Sequence, residues 1–135
     1  MTSVKRRAII EQYQHTMVIL RNLRFFFKDS VVLFSLVSIF LLTLAQLITL
    51  FINIKPKAEP IFLHYTTYFG VDFIGAWYLV YGLPLASLVI GLFNTGLAYL
   101  LVRREKVLGY VLLISSVLVS VLLLIVALLV VRLNS

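Results

Sequence analysis

The chain has no cysteine. That excludes disulfides, thiolate metal sites and thiol catalysis, and says little about compartment. Charge is missing where membrane chemistry would need it. Three long runs, Val31–Ile54, about Tyr81–Val102 and Val107–Val131, contain no Asp, Glu, Lys, Arg or His. Proton relays, voltage sensors and ion pathways use ionisable groups at such depth, so the pattern argues against a pump or proton-coupled transporter. A Gly-rich phosphate loop and a nucleophile elbow are both absent. Zinc takes three or four ligands. Glu59, His64 and Asp72 are the only group of suitable residues in one stretch, and their spacing matches no standard metal motif. The expectation is a protein that is not an enzyme and holds no metal or cofactor.

Apolar residues dominate instead. They make up 62% of the 135 residues, against 13% charged, where a soluble domain has about 45–50% and about 25%. A fold this small cannot hide that much apolar surface from water, so lipid is the expected solvent. Each run meets the length of about 20 residues needed to cross a core of about 30 Å at about 1.5 Å per residue. Backbone groups in lipid must pair within their own segment, which makes each run helical despite its many Val and Ile. The expected fold is an all-α integral membrane protein with transmembrane helices over 31–54, 81–102 and 107–131. The first run starts about 30 residues in and is too long for a signal-peptide core, with no small-x-small site before "KPKAEP". It reads as a retained span.

Basic residues set the expected orientation. Lys5, Arg6, Arg7, Arg21, Arg24 and Lys28 precede the first span, and Arg103, Arg104 and Lys106 fill the turn between the second and third. The other side has Lys55, Lys57 and Arg132. Nine against three places the N-terminus and the 103–106 turn in the cytoplasm, and the 55–80 connection and C-terminus outside a cytoplasmic (inner) membrane. The net charge of +7 is thereby assigned to topology and anionic lipid rather than to nucleic acid. His15 and His64 then lie on opposite sides, which rules out a shared haem. Within residues 1–29, Ile9, Tyr13, Thr16, Leu20, Leu23 and Phe27 form a stripe at steps of four and three, with Arg21, Arg24 and Lys28 beside it. This predicts a basic amphipathic helix on anionic lipid at the inner leaflet, or docked on a partner. Asp29 or Ser30 is placed to cap the first span.

The connection over 55–80 is rich in aromatic residues. Pro56 and Pro60 end the first helix. Phe62, Tyr65, Tyr68, Phe69, Phe73, Trp77, Tyr78 and Tyr81 follow, and Trp and Tyr favour the headgroup level. A short interfacial outer helix is expected here, ahead of Pro84. His64 and Asp72 carry two main readings, with metal binding at His64 a third. In one, His64 donates to a carbonyl freed near Pro60 and Asp72 caps the following helix; in the other, both help bind a partner, together with Tyr65 and Trp77.

Helices in lipid associate through small residues and interhelical hydrogen bonds. Ser87, Gly91, Thr95 and Ala98 on the second span, facing Ser116 and Ser120 on the third, form the expected seam of an antiparallel pair. Depth arithmetic puts Asn94 level with Ser116 and Ser38, and leaves Gln46 about 9 Å away from it along the axis. Asn94 is therefore expected as a link inside the bundle, and Gln46 as free to meet a partner subunit.

One pattern resembles a known family. Pro60, His64-Tyr65, Gly70, Asp72, Gly75 and Pro84 follow, in order, a motif found between the first two spans of a small bacterial membrane domain of unknown function. That domain occurs in immunity proteins that protect cells from a sporulation-delaying toxin. Thr66 stands where the family has Asn, Gly70 is one residue late, and Trp77 replaces a Lys. The resemblance covers about 25 residues and the flanking spans. It implies shared architecture and, as a functional alternative, toxin immunity or sensing through the His64–Asp72 segment. The leading expectation is an accessory or structural subunit that contacts other membrane subunits or copies of itself; a small transport component is the third.

Overall fold

A computed structural model of the chain describes Met17 and residues 23–66, 70–102 and 104–134; for residues 64–66 and 70–73 it describes the backbone alone. The chain divides into two compact units, Met1–Phe34 and Ser35–Ser135. Most of the amphipathic helix expected over 1–29 lies outside the described residues. Met17 and residues 23–26 are helical.

Helix α1 (Ser30–Asn53) begins at a defined cap. The Val31 N–H donates to Asp29 Oδ1 at 3.0 Å, and the Leu33 N–H donates to the Asp29 carbonyl at 2.9 Å. Asp29 thus satisfies one of the donors that a helix N-terminus leaves unpaired. At the other end Asn53 donates back to the Thr49 carbonyl at 2.8 Å, and Pro56 follows. Helices α2 (Gly82–Leu101) and α3 (Lys106–Asn134) complete the set. The three run for 24, 20 and 29 residues, or about 36, 30 and 43 Å at 1.5 Å per residue. All three are long and apolar enough to cross a membrane. The fold is all-α in class, with one small exception.

That exception corrects the expectation for the connection. Among the described residues of 61–75 there is no helix. Strands β1 (Ile61–Thr66) and β2 (Gly70–Gly75) pair antiparallel there, and a 3-10 helix (Trp77–Tyr81) leads into α2. The reason is local. IFLHYT and GVDFIG are rich in β-branched and aromatic residues, which fit a pleated surface. Pro60 stands just before the first strand, and glycines bound the second, where a short helix would be weakest. The register is irregular: it pairs Phe62 with Ile74, His64 with Phe73 and Tyr65 with Val71, skipping Leu63 and Asp72.

An isolated two-stranded hairpin is marginal in water, and this one is anchored to α3 in two ways. Ile61 joins a buried cluster with Leu50 and Ile54 from the end of α1, Val80 from the 3-10 helix, and Ala127 and Val130 from α3. Asn134 then pins the strand itself. The Phe62 N–H donates to Asn134 Oδ1 at 3.0 Å, and Asn134 Nδ2 donates to the Phe62 carbonyl at 2.7 Å. One side-chain amide thus takes the place of a neighbouring strand at the β1 edge. A third bond, from Asn134 Nδ2 to the Val130 carbonyl at 2.8 Å, orients that amide.

Buried positions recur at steps of three, four or seven along each helix. They include Ser35, Ile39, Thr43, Gln46 and Leu50 on α1, Pro84, Ser87, Gly91 and Ala98 on α2, and Gly109, Leu113, Ser116, Ser120, Ala127 and Val130 on α3. That pattern is the seam of helices crossing at shallow angles. Helices α2 and α3 form the close pair, while the α1 backbone stands further off. At Gly109 a Cβ would lie 2.5 Å from Val102 Cγ2 and 3.3 Å from the Ala98 carbonyl oxygen. Only glycine allows α2 and α3 to meet this tightly beside their turn.

Replacing Asn134 by Ala removes both bonds to Phe62. Hydrogen exchange at the Phe62 amide should accelerate about 10- to 30-fold, the equivalent of about 1.5–2 kcal/mol for two net hydrogen bonds. Unchanged protection would mean that the apolar cluster alone holds the hairpin.

Candidate functional site

The polar side chains of the three helices converge on one ladder inside the bundle. Ser87 Oγ on α2 lies 3.0 Å from Thr43 Oγ1 on α1 and donates to Ser120 Oγ on α3 at 2.9 Å. Ser120 Oγ donates to the Ser116 carbonyl at 2.9 Å. A hydroxyl has one proton to donate. Because Ser87 gives its proton to Ser120, Thr43 must be the donor to Ser87. The hydroxyls therefore form a one-way chain from α1 through α2 to the α3 backbone, an order in which each bond polarises the next.

Two amides extend the ladder. Asn94 Nδ2 donates to Ser116 Oγ at 2.9 Å, and Ser116 Oγ passes its own proton to the Leu112 carbonyl at 2.9 Å. Gln46 Nε2 donates to the Ser120 carbonyl at 2.9 Å, using the second lone pair of an oxygen that already serves the helix. Gln46 Oε1 is buried and has no hydrogen-bond partner among the described residues. Turning the amide over would set Oε1 against the Ser120 carbonyl, so the bonded orientation is the better one.

The structure separates the residues singled out in the sequence. Ser87, Asn94, Ser116 and Ser120 come together, with Asn94 bonded to Ser116 at the level that depth arithmetic gives. No bond joins Asn94 to Ser38 among the described residues. Gln46 does not face outward to a partner: it is fully buried against α3. Its rotation follows from the α1 stripe, where Thr43 and Leu50 share its face.

Two members of the expected α2–α3 seam change role. A Cβ on Gly91 would lie 2.8 Å from Ile39 Cγ2, so Gly91 is the notch that admits α1. Thr95 bonds back to the Gly91 carbonyl at 2.7 Å within its own helix. Steps of four advance about 40° beyond a full turn at about 100° per residue, which carries Thr95 off the face that Ser87 and Ala98 share. Thr43, Gly109 and Asn134 were not singled out by the sequence. Thr43 had a legible signal, since it stands three residues before Gln46 and four after Ile39.

In the connection, Asp72 does not cap a helix. It lies within β2, and the 3-10 helix starts after Ala76 with no side-chain cap bond. The hairpin backbone sets His64 opposite Phe73, one residue from Asp72. The side chains of His64, Tyr65 and Asp72 lie outside the described residues. Trp77 is half-buried and meets Tyr78 and Tyr81 edge-on, with ring centroids 6.0 and 6.3 Å away. Such T-shaped contacts suit the ring quadrupoles.

Compared with protein-family models, curated proteins and solved structures, the chain matches none.

The ladder makes unequal demands on its members. Gln46→Met removes one hydrogen bond and also a buried acceptor that has no partner. Thermal stability in mild detergent should stay within about 1 kcal/mol of the parent or rise. Ser87→Ala interrupts the hydroxyl chain and should cost about 0.6–1.7 kcal/mol, the span seen for interhelical bonds in membranes. A larger loss for Gln46→Met than for Ser87→Ala would contradict this ordering.

Proposed function

We propose that the chain is a three-span integral membrane protein, without enzymatic activity, that works by contact with other proteins as an accessory or structural subunit of a membrane assembly. One observation carries the membrane part. The bundle is inside-out relative to a soluble protein: Gln46, Ser87, Ser116 and Ser120 are at most 1% exposed, while Phe40, Phe51 and Phe93 are 63–77% exposed. In water that arrangement would leave large apolar faces unpaired. In lipid it is the favoured one, because polar groups find each other inside and apolar side chains meet acyl chains outside.

The charge asymmetry supports an orientation with the N-terminus and the 103–106 turn in the cytoplasm of a bacterial inner membrane. The hairpin and the end of α3 would then face outward, and the bond between Asn134 and Phe62 is consistent with both being on one side. No Asp, Glu, Lys, Arg or His lies within the three apolar runs, which favours contact over transport. The surface offered to a partner is the hairpin and the Trp77–Tyr81 turn. The resemblance around His64 and Asp72 makes a toxin or a sensed peptide the alternative partner. The basic segment before α1 would rest on anionic lipid of the inner leaflet or on a cytoplasmic partner.

The lack of cysteine makes topology directly measurable. An impermeant maleimide on intact cells should label Glu59→Cys but not Glu105→Cys, and should label the latter once the membrane is opened. Leu118→Cys should resist labelling in both states. The reverse pattern would invert the orientation, and free labelling at 118 would remove the membrane reading. Purification in mild detergent should bring down a stoichiometric partner; recovery of a lone homo-oligomer would count against the subunit role.

A further inference from the structure

The outer-end half of α1 forms a groove with the end of the 3-10 helix. Leu47, Ile48, Phe51 and Ile52 line it from two successive turns of α1, and Tyr81 closes it from the 3-10 helix. Its volume is about 350 Å³, at the small end of the range for ligand pockets. The lining is apolar apart from the phenol of Tyr81. Directly beyond Asn53 the chain leaves the helix through Lys55, Lys57 and Glu59, all exposed. Lys55 is three residues from Ile52, a reach of at most about 10 Å. Neither lysine forms an ion pair among the described residues.

An apolar trough followed in the chain by two exposed lysines is complementary to an anionic amphiphile. We propose that the groove seats one acyl chain of an anionic phospholipid whose phosphate is met by Lys55 and Lys57. The site deepens the membrane reading above and rests on it. Tyr81 serves both halves, with its ring against the chain and its hydroxyl at the depth where headgroups begin. A basic residue near an anionic headgroup favours its binding. With Glu59 offsetting part of the effect of two lysines, the expected preference for anionic over zwitterionic lipid is roughly tenfold.

Trp77 is the only tryptophan in the chain, and its ring lies 6.3 Å from that of Tyr81. It therefore reports on this groove. The full chain is placed in phosphatidylcholine vesicles carrying increasing mole fractions of either dibrominated phosphatidylglycerol or dibrominated phosphatidylcholine. The brominated phosphatidylglycerol should quench Trp77 at roughly tenfold lower mole fraction and saturate. The Lys55→Gln/Lys57→Gln variant should bring the two lipids level.

Equal quenching by both lipids in the parent, or a preference that survives the double substitution, overturns the site and leaves the membrane reading intact. Quenching by neither lipid, with Trp77 open to aqueous iodide, overturns both. Quenching by neither lipid or iodide means that protein fills the groove, which overturns the lipid assignment alone.

Discussion

A serine hydroxyl has one proton to give, and the order of this bundle follows from where those protons go. Ser87 stands between α1 and α3 and gives its proton to Ser120, so Thr43 must donate to Ser87, and Ser120 must end the chain on the Ser116 carbonyl. Every link names a partner on a particular helix at a particular height. Sliding α1 by one turn, about 5.4 Å, would break the Thr43 and Gln46 bonds together. In surroundings without water, such unpaired groups are costly. The ladder therefore sets register and rotation, which apolar side chains alone leave loose.

The glycines and the hairpin fit around that register. Ile39 lies one turn before Thr43 and enters the notch at Gly91, one turn after Ser87. Gly109 lets α2 and α3 meet beside their short turn. At the opposite end the helices are joined differently, by the apolar cluster from Leu50 to Val130 and by Asn134 acting as a substitute strand. The result is asymmetric. One end is a four-residue connection with two basic residues and Lys106 just after it, and the other carries an aromatic hairpin, a 3-10 turn and an apolar groove. The proposal of a partner surface rests on the elaborated end, where the described residues offer shaped surface beyond the helices.

The long helices were legible because uncharged runs of this length leave the backbone little choice. The link between Asn94 and Ser116 was legible too, since a four-residue turn ties the heights of α2 and α3 together. No such short turn ties α1 to α2, so the facing of Gln46 depended on a connection whose structure was misread. In residues 61–75 apolar and aromatic side chains stand at both odd and even positions, and alternation gave no clear signal. The aromatic residues pointed to an interface, and the strands were hidden. Asn134 was unreadable for a different reason: its partner is a backbone 72 residues away. Thr95 was misassigned by counting in fours instead of alternating three and four.

The central claim is that the three helices are held by one hydrogen-bonded unit. A double-mutant cycle between Thr43→Val and Ser120→Ala tests it most directly, because each is hydrogen-bonded to Ser87. Measured by reversible unfolding in lipid-like micelles, the two changes should be non-additive by about 0.6–1.5 kcal/mol. Additivity within about 0.3 kcal/mol would mean that the hydroxyls act as separate contacts, and the ladder would then not be what sets the bundle's register.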